Sequence, residues 1–131
     1  MKMIENIIQI FTSICLGIMI FFSFVVAPTV FKVLDENNAR NFIRKIFPFY
    51  YLVNLFILLI PIILTLYLDF INTKFYLLLL VAILFAISQF ILMPLINHSR
   101  DKKKDTKFKY LHGLSVLINF LQIIILIFIL L

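Results

Sequence analysis

Residues Ile96–Gln122 read INHSRDKKKDTKFKYLHGLSVLINFLQ, and this stretch decides the fold. It leaves an apolar run, crosses a cationic segment holding half of the 12 Lys+Arg residues, and re-enters apolar sequence at Tyr110. The two histidines, His98 and His112, stand at its two rims. Apolar runs that stop and restart around a cluster of cations mark a chain turning round at a membrane surface.

The same alternation runs outward from it. Residues 6–31, 46–68, 75–99 and 110–131 contain no Asp, Glu, Lys or Arg. About 20 helical residues cross the hydrocarbon layer, so four windows of this length predict four spans, near 7–28, 49–68, 75–96 and 110–130. The chain is 64% hydrophobic and 14% charged, which a soluble domain of 131 residues cannot bury. The expected fold is all-α: a single up-down-up-down bundle of four transmembrane helices. The long first run and the poor cleavage pattern at Val25-Val26-Ala27, followed by Pro28, read as a retained span and not a signal peptide. No long-period repeat is legible.

Between the first two spans, Ala39, Phe42, Ile43, Ile46 and Phe47 follow the i, i+3, i+4 pattern, with Arg40, Asn41, Arg44 and Lys45 opposite. This predicts a short amphipathic interfacial helix, capped by Asp35 or Asn37 and stopped by Pro48. On the first span, Gln9, Thr12, Ser13, Gly17 and Ser23 share one side, and Ser13 with Gly17 makes a small-xxx-small pair suited to helix packing. Pro61 is expected to kink the second span, and Pro94 to bend or end the third near His98.

The connections 32–48 and 97–109 carry 10 of the 12 Lys+Arg residues. The positive-inside rule places them in the cytoplasm and both termini outside, in a cell (inner) membrane. The net charge of +6 then serves a membrane rim and not nucleic acid. Lys102, Lys103, Lys104, Lys107 and Lys109 form a basic loop expected to contact anionic lipids on the cytoplasmic side. Arg100 with Asp101 reads as a local ion pair. A homo-oligomer is an open partner class.

The candidate binding residues are the polar side chains set into these spans. His112, Ser115, Asn119 and Gln122 cover about 80° of a helical wheel, and Asn54 and Gln89 mark the faces of the second and third spans. An amide in hydrocarbon is costly unless it meets protein or water, so these stripes are expected to converge. With His98 and Arg100 they make either a polar pocket for a small solute or a set of interhelical hydrogen bonds. His98 and His112 could alternatively hold a transition metal or haem; the leading expectation is no metal and no cofactor. No acidic or basic residue lies within a span, which argues against proton coupling. No catalytic triad, phosphate loop or carboxylate pair is present, so no enzyme is expected. The expected function is that of a non-enzymatic multi-pass membrane protein, in small-solute transport or as a membrane stress factor; a haem- or metal-binding membrane protein is the second reading and a lipid-interacting structural protein the third.

Several motifs resemble a known family. Phe24-Val25-Val26-Ala27-Pro28-Thr29-Val30-Phe31-Lys32 is similar to the end of its first helix, and Ile46-Phe47-Pro48-Phe49-Tyr50-Tyr51 to the start of its second. Arg100-Asp101, Phe108, Leu111-His112-Gly113-Leu114-Ser115 and Asn119 are similar to its third connection and fourth helix. This is the transmembrane protein 205-like family, known in bacteria as a domain of unknown function. The resemblance covers nearly the whole chain and implies four spans with no established activity. It implies that His112, Ser115, Arg100, Pro28 and Pro48 belong to the shared pattern. A looser similarity is to copper-resistance and haem-pathway membrane proteins, which use histidine within the membrane; the first two spans here have none.

Overall fold

The computed structural model describes residues 1–131. Four helices account for nearly all of them: α1 (Lys2–Val33), α2 (Glu36–Tyr67), α3 (Thr73–Asp101) and α4 (Asp105–Leu130). Each is long and apolar enough to cross a membrane. The connections are short, so consecutive helices run antiparallel. Helix α1 packs on α2 and α4, and α3 packs on the same two, closing a four-helix ring. Apolar burial does not drive helices together in lipid; close packing does. Ile8, Cys15, Met19, Leu58, Leu78, Val81, Phe85, Leu126 and Ile129 fill the interior.

The amphipathic segment is helical as its spacing predicts, but it is not a separate interfacial helix. It is the first third of α2, and Pro48 lies inside that helix without stopping it. The ring of a proline costs one hydrogen bond, and the flanking apolar packing of Ile46, Phe47 and Tyr50 into the core outweighs it. Asp35 is the cap: its carboxylate accepts from the Asn38 backbone N–H at 3.0 Å and from the Asn38 side chain at 2.6 Å. Those two donors hold its carboxyl below the usual carboxylate range. Helix α3 starts on Asn72, whose side chain accepts from the Phe75 N–H at 3.0 Å. The turns ahead of α3 and α4 each contain one left-handed residue, Asp69 at φ 52° and Lys103 at φ 53°.

Helices α1 and α3 share a feature the sequence does not announce. Each contains one π-turn, at Phe22–Val26 and Ser88–Leu92. Each π-turn begins six residues before a proline, Pro28 in α1 and Pro94 in α3. Neither proline ends its helix: α3 continues to Asp101. Burial follows the same register. Thr12, Cys15, Met19 and Phe22 face the core of α1, and Leu78, Val81, Phe85 and Ser88 face it from α3, each pair 66 positions apart, as 22 is from 88. Helices α1 and α3 therefore repeat a plan that their side chains hide.

Candidate functional site

The polar side chains meet in a belt across the bundle at the level of the π-turns. Asn119 on α4 is its hub. Its carboxamide oxygen accepts from the Tyr50 hydroxyl of α2 at 2.7 Å, and its nitrogen donates to the Ser23 hydroxyl in the α1 π-turn at 2.9 Å. Three helices are joined by one side chain. Gln122, one turn deeper, is buried and donates to the Val81 carbonyl of α3 at 3.1 Å. Asn54 is buried on α2 and donates to the Tyr50 carbonyl at 2.8 Å.

Aromatic rings pack the belt on the side of α2. Tyr50 stacks on Phe22 at 4.5 Å between centroids, Tyr51 stacks on Phe47 at 5.5 Å, and both tyrosines meet Phe85 at 6.4 Å. Such pairs contribute roughly 0.5–1.5 kcal/mol each beyond their contact area.

Not every polar atom in this region is satisfied. The Oδ1 of Asn54 and the Oε1 of Gln89 are buried with no hydrogen-bond donor, as are the hydroxyls of Thr12 and Ser99. Asn54 lies four residues from Tyr50, and Gln89 four residues from Phe85, so the two amides flank the same ring contact between α2 and α3. The nitrogen of Asn54 is already committed to a carbonyl, so turning the amide over would only place oxygen against oxygen.

The remaining predicted residues separate from the belt. His112 is exposed and stacks on Phe108, with centroids 5.8 Å apart and planes 2° from parallel. The Arg100 guanidinium lies over the same Phe108 ring at 4.5 Å. Ser115 donates to the His112 carbonyl at 2.7 Å, within its own helix. His98 is exposed at the end of α3. The polar stripe of α4 thus bonds to other helices only at Asn119 and Gln122. No group of three or more His, Cys, Asp or Glu side chains stands together. Asp101 pairs with Arg44 of α2 and not with its neighbour Arg100; two contacts of 2.8 Å tie the second hairpin to the first.

Helix α1 also departs from expectation. Thr12 is buried and Ser23 half-buried, but Gln9, Ser13 and Gly17 face outward. The small-xxx-small pair touches no helix of this chain. Ser23 and Tyr50 are the belt residues that sequence reasoning passed over. Ser23 was visible only as one polar position among five, and Tyr50 only as one member of the Ile46–Tyr51 motif.

These features define a multi-pass membrane protein with a buried polar belt. The chain belongs to the family described as "Domain of unknown function (DUF4149)", which matches residues 10–105. It is 37% identical over 117 residues to an uncharacterized protein of Aquifex aeolicus (strain VF5), covering 88% of this chain and 85% of that one. The bacterial domain of unknown function is thereby supported; the transmembrane protein 205 name is not. No solved structure matches.

Proposed function

We propose that this protein is a non-enzymatic membrane carrier that holds a small neutral solute at the polar belt. Its basic connections face the cytoplasm and its termini the other side. The observation that carries the reading is the pair of orphaned amide oxygens, Asn54 Oδ1 and Gln89 Oε1. A buried acceptor without a donor is costly, the more so where no bulk water can reach it. The two acceptors lie one turn to either side of the ring contact between these antiparallel helices, and a molecule that donates hydrogen bonds would satisfy each in turn. Urea and glycerol have that chemistry. With no Asp, Glu, Lys or Arg inside residues 46–68 or 75–99, the belt has no charge to attract an ion or relay a proton.

Flux through proteoliposomes tests this. Stopped-flow light scattering with urea and glycerol should show faster equilibration than protein-free vesicles. The double variant Asn54→Leu, Gln89→Leu should return it to the protein-free rate. Wild-type vesicles no more permeable than empty ones to either solute would end the carrier reading.

A further inference from the structure

The chain has two glycines, Gly17 and Gly113, and both lie inside helices, where glycine is less favourable than alanine. Nothing within the chain requires either one. A methyl group added at each would meet no atom within 4 Å, and neither has a positive φ. Any reason for Gly113 therefore lies outside the chain.

Gly113 floors a groove of about 330 Å³ on the outer side of α4, lined by Lys109, Tyr110, Gly113, Leu114 and Leu117. One end is cationic and the other apolar. Lys109 is the last charged residue before the charge-free run 110–131, which sets it at the level of lipid headgroups. Leu117, eight residues on, lies about 12 Å deeper into the hydrocarbon. Lys109 has no carboxylate partner; Asp105, one turn before it, makes no ion pair with it.

We propose that this groove binds one anionic diacyl phospholipid. Its phosphate meets the Lys109 ammonium and the Tyr110 hydroxyl, and one acyl chain runs over Gly113 toward Leu117. Lys102, Lys103, Lys104 and Lys107 raise the local anion concentration around the mouth. A zwitterionic headgroup carries its own cation and loses that advantage. Diffuse attraction to the lysines needs no groove, and this separates the two ideas experimentally.

Native mass spectrometry of the full chain in detergent, with phosphatidylglycerol or phosphatidylcholine added, reads the site directly. The wild type should retain one phosphatidylglycerol about fivefold more than phosphatidylcholine, the preference expected when one lysine meets a net-negative in place of a zwitterionic headgroup. Gly113→Leu fills the groove without changing charge and should lower phosphatidylglycerol retention to the phosphatidylcholine level. Lys109→Gln should do the same, and Lys104→Gln, outside the groove, should lose far less. Gly113→Leu has room for its side chain and favours helix, and far-UV circular dichroism checks that α4 survives. Wild-type retention by Gly113→Leu, equal losses with Lys104→Gln and Lys109→Gln, or equal retention of the two lipids by the wild type would each overturn the proposal.

Discussion

Before its π-turn, α1 buries Thr12, Cys15, Met19 and Phe22; at the same distances from its own π-turn, α3 buries Leu78, Val81, Phe85 and Ser88. The backbones match and the side chains do not. The first hairpin supplies Ser23 and Tyr50, both engaged by Asn119. At the position 66 residues after Ser23, the second hairpin supplies Gln89, whose oxygen has no donor. A shared backbone device thus carries two kinds of polar group, one spent on holding helices together and one left free. Asn54 leaves a second free acceptor in the first hairpin, so position along a polar stripe does not by itself tell a bracing group from a free one.

The most disruptive way to probe this contrast is through the paired core positions. Phe85→Ala should destabilise by about 3–5 kcal/mol and Met19→Ala by about 2–5 kcal/mol, with Phe85 the more costly because its ring also meets Tyr50 and Tyr51. Unfolding in mixed detergent micelles measures both; a reversed order would show that the aromatic contact is not what joins α2 to α3. Next come the two amides. Asn119→Leu strands the Tyr50 hydroxyl and should cost about 1–2 kcal/mol. Gln89→Leu removes an orphaned acceptor and should leave the unfolding midpoint unchanged or higher. Equal destabilisation by both would erase the proposed division of labour.

Smaller effects are expected at the basic end. Asp35→Ala removes the cap of α2 and should fray its first turn, read as faster amide exchange near Asn38. Because the folded carboxyl is held below its unfolded value, the cap contributes fully above the ordinary carboxyl pKa and is lost as pH falls through the lowered one. Acid should therefore lower the exchange protection near Asn38, measured against the intrinsic amide rate at each pH, in the wild type and not in the variant. Arg44→Ala should have the least effect, since exposed ion pairs contribute little. A large loss there would mean that the two hairpins depend on this one tie for their relative placement.

The spans were legible because charge is excluded from hydrocarbon, and four charge-free windows leave little choice. The Asp35 cap was legible because it is local chemistry. Pro48 was misread because local propensity treats an interior proline as a stop, whereas the packing of Phe47 and Tyr50 carries α2 through it. The burial of Asn54 and Gln122 was foreseen from their faces, but the wheel could not say that His112 stays exposed and that Ser115, half-buried, bonds only within its own helix. Asp101 was assigned to its sequence neighbour because its true partner lies on another helix. Nothing in residue type distinguishes a π-turn from an α-turn, so the matching of α1 with α3 emerges only in three dimensions.

A π-turn takes in one residue more than an α-turn. Deleting Val25 or Ile91 would let the helix close up around the gap with its two ends still facing as before. The same deletion among Leu77–Leu80 would swing everything beyond it by about 100°, pulling Asp101 away from Arg44. The bundle therefore has two places where its length can be edited by a single codon without scrambling its faces, and both lie at the depth where the polar belt is assembled.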